Sequence, residues 1–191
     1  MRFLIDLFVM LGVALLVGFG LSYYALTDGR LFGAYQVGPW VAWPRAGSPS
    51  PDPYTRAYLT RNGALQLGLS EGLQFASSND SDGRPLERSC NYRIDGTTPL
   101  ATFWTLIPVT ADGTEAASPD GPPGFHSQRV VRSNDGSMHL HIGPTLSPDN
   151  WLEVSGTGPY SLVLTLYDTA IFSGISSSTT SLPAITRESC R

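Results

Sequence analysis

The sequence predicts an all-β domain, a jelly-roll or β-sandwich, preceded by one N-terminal transmembrane helix and a short capped helix. Three observations lead to this prediction: an uncharged apolar run near the N-terminus, about eight short apolar segments after it, and the 20 Gly and 15 Pro residues that separate them. We therefore divide the 191 residues into a membrane anchor (1–27), a Pro-rich extended linker (28–52) and a β jelly-roll domain (53–191). A domain of this size can bury a core of its own.

The membrane segment is the run at residues 7–26, LFVMLGVALLVGFGLSYYAL, which contains no charged side chain. A helix of this length spans about 30 Å, the thickness of the apolar core of a bilayer. Tyr23 and Tyr24 lie at the outer end of the run, where aromatic rings favour the membrane interface. We expect a single crossing with the N-terminus in the cytoplasm and the domain outside. The alternative is a cleaved signal peptide, for which Gly20 and Ser22 supply a pair of small residues.

The segment that follows is predicted to be extended, because it holds prolines at four positions between residues 28 and 52. A short helix is then expected at residues 53–62. Asp52 suits the N-cap, Pro53 suits the first helical position, and Gly63 suits the position just past the end.

This short helix carries the first candidate ligand contacts. Tyr54 and Tyr58 share one face by their spacing of four residues and are expected to pack on the β-domain. Arg56 and Arg61 are the candidates, either for ion pairs with carboxylates of the sheet or for contact with an anionic ligand.

Beyond the helix the apolar residues recur at every second position, which is typical of strands with one buried face. Turns are predicted at SNDSDGRP, TADGT and NDG, and EAASPDGPPG is interpreted as a polar loop. The predicted strands are ALQLGLS, GLQFAS, CNYRI, LATFWTLIPV, QRVVRS, SMHLHIG and YSLVLTLYD, and the tail ISSSTTSLPAITRESC is expected across the edge of the sheet.

The net charge, the distribution of basic residues and the spacing of the cysteines limit the kinds of function that the protein can have. All 12 basic residues are Arg, they are scattered along the chain, and the net charge is -4, so we expect no nucleic-acid partner. Cys90 and Cys190 belong to no CxxC motif and are predicted to form one disulfide in an oxidising compartment. The alternative is two free thiols.

Five motifs follow one another along the chain: DPYTRA, FWTLIPVTADG, NDGSMHLHIGP, NWLEVSGTGPYSLVLTLYD and LPAITR. They resemble those of the DUF1214 family, whose members often occur beside or fused to a DUF1254 domain, and the resemblance covers about residues 38–188. It implies a β jelly-roll and, for short members like this one, an anchor in the inner membrane of a bacterium with the domain in the periplasm. A membrane protein complex or a DUF1254-type protein is the partner that it implies. Thr165 and Thr169 stand where the family pattern has Arg and Pro.

Residues that carry chemistry are few. His139 and His141 share one face of a strand and resemble a metal pair, but a zinc site needs a third or fourth ligand, so two surface histidines are the favoured interpretation. Trp104 and Trp151 are candidates for stacking on a sugar. The sequence has no GxSxG elbow, indicates no catalytic residue and calls for no cofactor. A non-enzymatic accessory or binding module is therefore expected, with a glycan-binding or glycan-processing protein as the alternative.

Overall fold

The computed structural model describes residues 2–28, 33–62, 67–68, 70–98, 101–169 and 181–191. Two helices and ten strands are the regular elements of these residues. The helices are Arg2–Asp28 (α1) and Pro53–Asn62 (α2), and the strands are Tyr35–Val37 (β1), Trp40–Ala42 (β2), Gly72–Ser77 (β3), Cys90–Gly96 (β4), Ala101–Val109 (β5), Phe125–His126 (β6), Met138–Gly143 (β7), Asn150–Glu153 (β8), Ser161–Thr169 (β9) and Ala184–Cys190 (β10).

The strands form two sheets, as expected of a mostly β domain. The six-stranded sheet has the order β1-β2-β3-β9-β5-β6, and the four-stranded sheet has the order β10-β4-β7-β8. Neighbouring strands run antiparallel except β7 and β8, which are parallel. Strand β10 lies at the edge of the four-stranded sheet, where the C-terminal tail was expected.

A single core holds the sheets together. Alternate side chains of β4 and β7, such as Tyr92, Ile94 and Leu140, are buried, and so are Phe75 and Leu164 of β3 and β9. Burial of a large apolar side chain stabilises a fold by about 1.5–3 kcal/mol, so this cluster is the main source of stability. The period-two prediction is confirmed for these four strands.

The segment before α2 contributes to this core. Its strands β1 and β2 are extended, as expected, and pair with each other and with β3, whereas residues 44–50 form turns and bends, so the prediction of an extended segment is only partly correct. The indole of Trp40 is buried, and its Nε1 donates to the carbonyl oxygen of Pro183 at 2.7 Å. This hydrogen bond joins the start of the β-domain to its last strand.

The prediction of a strand at QRVVRS is wrong. Residues 127–129 form a turn, and the strand nearby is the two-residue β6. The side chain of Asn150 hydrogen-bonds both backbone groups of Val131, at 2.8 and 2.9 Å, and so takes the place of a neighbouring strand.

Helix α2 has the predicted bounds and the predicted cap. Oδ1 of Asp52 accepts from the amides of Tyr54 and Thr55 at 3.1 and 3.0 Å. Tyr54 is 43% exposed, so the expectation that it is buried on the domain is wrong, and Thr55 is the residue that faces inward. The side chain of Tyr58 lies outside the described residues, as do Gly63, residues 64–66 and 69 of the predicted strand ALQLGLS, and the start of the predicted tail.

A buried carboxylate organises the turn at residues 78–85. Asp80 is 1% exposed, whereas the sequence indicated a solvated loop. It accepts from the amide and the Nε of Arg84, at 2.8 and 3.0 Å, and lies 3.4 Å from Nε of Arg187 on β10. The carboxylate therefore links this turn to the C-terminal strand.

Replacing Asp80 by Ala should lower the free energy of unfolding by about 3–5 kcal/mol, because the substitution leaves buried donors and Arg187 without their acceptor. The matched control is Asp82→Ala in the same turn. Asp82 is 71% exposed and pairs with Arg84 alone, so its loss should cost less than about 1 kcal/mol. Urea unfolding of both variants measures the difference, and equal losses would contradict the role given to Asp80.

Candidate functional site

The outer face of the four-stranded sheet carries the polar groups of greatest interest. Strand pairing puts Arg93 of β4, His141 of β7 and Trp151 of β8 side by side in one row. Asp95 and His139 are paired in the next row. Both histidines point away from the core, as the alternation of β7 predicts, because Met138, Leu140 and Ile142 are buried.

Ion pairs connect these rows. Asp95 contacts Nδ1 of His139 and Nε of Arg93, both at 2.7 Å. Burial alone would raise the pKa of Asp95, but the hydrogen bonds from His139 and Arg93 and the charge of Arg93 outweigh it and hold this pKa below its ordinary value. Asp95 is therefore an anion at neutral pH.

A bulge on β10 brings a second carboxylate to this face. The register shifts between Arg187 and Ser189, so Glu188 is an extra residue opposite β4. Bulges often redirect a side chain near a functional site. The carboxylate of Glu188 lies 3.7 Å from Nη1 of Arg93 and 3.6 Å from Nδ1 of His141.

Next to Glu188 lies an open pocket of about 150 Å³, which we call the Trp151 pocket. The half-buried ring of Trp151 lies on one side, and Glu188 and Ser189 of β10 lie on the other. The lining also includes Asn91, His141 and Thr145. The pocket thus combines an aromatic ring, a carboxylate, an imidazole and hydroxyl groups.

Asn91 braces this pocket. Its Oδ1 accepts from the amide of Thr145 at 3.1 Å, and its Nδ2 donates to the hydroxyls of Thr145 and Ser189 at 3.2 and 3.0 Å. The side chain needs the space over Gly143, where a Cβ would lie 2.4 Å from Oδ1 of Asn91. One amide therefore holds both the loop after β7 and strand β10.

The predicted disulfide is confirmed. Cys90 and Cys190 are directly paired on β4 and β10 and are joined by an S–S bond. They directly precede Asn91 and follow Ser189 in the chain, so the bond fixes the two strands at the pocket.

The remaining candidates lie elsewhere. Trp104 is only 2% exposed and belongs to the core, so its ring cannot contact an external ligand. Arg56 and Arg61 are exposed on α2 and line a separate open depression with Pro51 and Pro53.

No metal site is formed at the histidine pair. Among the described residues, no three His, Cys, Asp or Glu side chains lie together as a ligand set. His139 faces Asp95 on the neighbouring strand β4, and His141 faces Glu188 on β10.

Sequence reasoning missed Glu188, Asn91 and Gly143. Glu188 and Asn91 are separated by almost the whole domain in sequence, and only strand pairing and the bulge unite them. The sole local signal was the position of both residues next to the cysteines.

The chain was then compared with known proteins. The family model described as "Protein of unknown function (DUF1214)" matches residues 71–171. A comparison with curated protein sequences gives no match.

Two solved structures are similar. The VPA0106 protein from Vibrio parahaemolyticus has a TM-score of 0.57 at 21% identity, over 71% of this chain and 35% of that chain. A putative uncharacterized protein from Burkholderia cenocepacia has a TM-score of 0.47 at 15% identity, over 77% of this chain and 48% of that one. The first likeness shows a shared fold, and this chain spans about a third of the length of that relative.

Replacing Asn91 by Ala should loosen the pocket. The amide of Thr145 loses its acceptor, and a lost hydrogen bond of about 1–1.5 kcal/mol corresponds to about tenfold faster local opening. Hydrogen exchange at Thr145 measures the change. Asn79→Ala is the control, because Asn79 also bonds a backbone group, the carbonyl of Gly83, in a different turn. Unchanged exchange at Thr145 would contradict the bracing role.

Proposed function

The chain belongs to the DUF1214 family, and from this and its structure we propose a non-enzymatic binding module that is anchored in the inner membrane and faces the periplasm. The observation that carries the proposal is α1. Residues Arg2–Ala25 form a helix long and apolar enough to cross a membrane, and none of it is buried against the rest of the protein. An apolar helix left uncovered in this way needs a bilayer around it.

The position of α2 supports the anchored arrangement. This helix contacts α1, and the backbone of Gly33 lies against Asp52 and Thr55 at its N-terminus. The exposed Arg56 and Arg61 are therefore near the end of the membrane segment. Guanidinium groups there suit lipid phosphates, and each contributes about 1 kcal/mol when the surface is anionic.

The disulfide supports a periplasmic location of the β-domain. Disulfides such as Cys90–Cys190 persist in oxidising compartments, which include the bacterial periplasm. The N-terminus would then be cytoplasmic, in agreement with the order of anchor and domain along the chain.

The polar side chains on the outer face of the four-stranded sheet suit a binding role better than a catalytic one. Asp95 is engaged by His139 and Arg93, and Glu188 lies between Arg93 and His141. These pairs, within β4 and between strands, hold the polar side chains in fixed positions. For the fold itself, we propose that the two sheets are a jelly-roll with a parallel β7–β8 pair as its variation.

The anchor is tested with the full-length chain in a bacterial host. We expect the protein to resist alkaline extraction of membranes, the domain to be cut by protease in spheroplasts only, and both cysteines to react with a maleimide only after reduction. A soluble product whose N-terminus begins near Gly20–Ser22 would show a cleaved signal peptide and overturn the proposal.

The binding role is tested by a pull-down of the full-length chain from native membranes in mild detergent. We expect a stoichiometric membrane partner, with a DUF1254-type protein as the leading candidate. The control replaces residues 1–27 with an unrelated single-pass anchor. A partner retained by the control contacts the domain, and a partner lost from it contacts the helix. A substrate turned over by the isolated chain would contradict a non-enzymatic role.

A further inference from the structure

We propose that the Trp151 pocket binds a neutral saccharide, with one sugar ring stacked on Trp151 and its hydroxyl groups bonded to Glu188 and His141. This inference rests on the proposed binding function and adds the chemical class of the ligand. The pocket has a volume of about 150 Å³, less than the roughly 300–1,000 Å³ of typical small-molecule sites, so it suits a shallow contact with a sugar at the surface.

The ring of Trp151 supplies the apolar contact. It is half-buried on the outer face of β8, between the Trp151 pocket and a second depression that includes Phe125 and Val131. A tryptophan fixed in a strand offers a flat surface at little cost in conformational entropy. The C–H face of a pyranose ring matches such a surface.

Glu188 supplies the polar contact. Its distances of 3.7 and 3.6 Å to Arg93 and His141 exceed the length of a hydrogen bond, so these neighbours hold the carboxylate without using all its lone pairs. Hydroxyl groups are good donors to such a carboxylate, and charge-assisted bonds are stronger than neutral ones.

The charges of the pocket disfavour ionic ligands of either sign. A phosphate would meet the carboxylate of Glu188, which lines the pocket. An ammonium group would meet the guanidinium of Arg191, whose Nη2 donates to the hydroxyl of Thr145 at the pocket at 3.1 Å. A neutral molecule rich in hydroxyl groups avoids both repulsions.

The pocket is also held in place before a ligand arrives. Asn91 of β4 hydrogen-bonds Thr145 in the loop after β7 and Ser189 on β10. The disulfide also joins β4 to β10. A preorganised site loses less entropy on binding, which matters for a ligand of one or two sugar rings.

The test uses the full-length chain in lipid nanodiscs and isothermal titration calorimetry. The probes are maltotriose, cellotriose and the trimer of N-acetylglucosamine, with inorganic phosphate and tetramethylammonium as charged probes. We expect at least one trisaccharide to bind and neither charged probe to bind. Trp151→Ala and Glu188→Gln should each weaken binding by about tenfold or more, the loss expected for one strong contact.

Two matched controls should keep the wild-type affinity. Tyr167→Ala removes a half-buried aromatic ring from the outer face of the other sheet, and Glu115→Gln removes an exposed carboxylate outside the pocket. Circular dichroism verifies that each variant is folded. If Trp151→Ala unfolds, Glu188→Gln still tests the pocket, because it preserves the shape of the side chain.

The inference is overturned if folded protein binds none of the trisaccharides, if it prefers a charged probe, or if both pocket variants bind as well as wild type. These results leave the proposed function standing, because insertion into nanodiscs and the partner in native membranes are measured independently.

Discussion

The attachment of β10 to the rest of the β-domain is the constraint on which the arrangement of the candidate site depends. Among the described residues this edge strand pairs with β4, and several further contacts hold it. The buried carboxylate of Asp80 faces Arg187, the indole of Trp40 donates to Pro183 just before the strand, the backbone of Ile185 hydrogen-bonds Ser81, and the disulfide joins Cys190 to β4. These contacts come from different parts of the chain and together hold the register of β10. Glu188 depends on that register, since it occupies the bulge.

Because one of these contacts is a disulfide, the structure of the pocket depends on the redox state of the compartment that contains it. The disulfide closes the end of the ladder that carries Asn91 and Ser189, and these two residues hydrogen-bond across the strands. A cross-link of this kind contributes about 2–4 kcal/mol in typical cases, chiefly by restricting the unfolded chain. In a reducing compartment the strand would lose this cross-link and keep its non-covalent contacts with β4, Asp80 and Ser81. The proposed periplasmic location would therefore favour the arrangement of the pocket.

Much of the fold was predictable from the sequence because its signals are local. Alternation gave β3, β4, β7 and β9, the capping residues gave both ends of α2, and apolar length gave α1.

The wrong predictions have a common cause, which is contact between residues that are far apart in the sequence. The apolar residues of QRVVRS read as a strand, yet the side chain of Asn150 satisfies the backbone of Val131 instead. The burial of Asp80 is likewise invisible locally, because its partner Arg187 lies at the far end of the chain.

The candidate site was predictable only in part, for the same reason. The period of two placed His139 and His141 outward, but it could not name their partners, since Asp95 and Glu188 come from two other strands. Trp104 and Trp151 were both candidates by residue type, and the structure excludes Trp104 because its ring is buried in the core. A pocket that holds one or two sugar rings binds weakly as a single site. The proposed anchor would change this, because it would confine every copy to one surface, where a polymer with repeated units could engage several pockets and each further contact would be intramolecular. The proposed membrane helix and saccharide pocket would therefore be complementary features of one binding module.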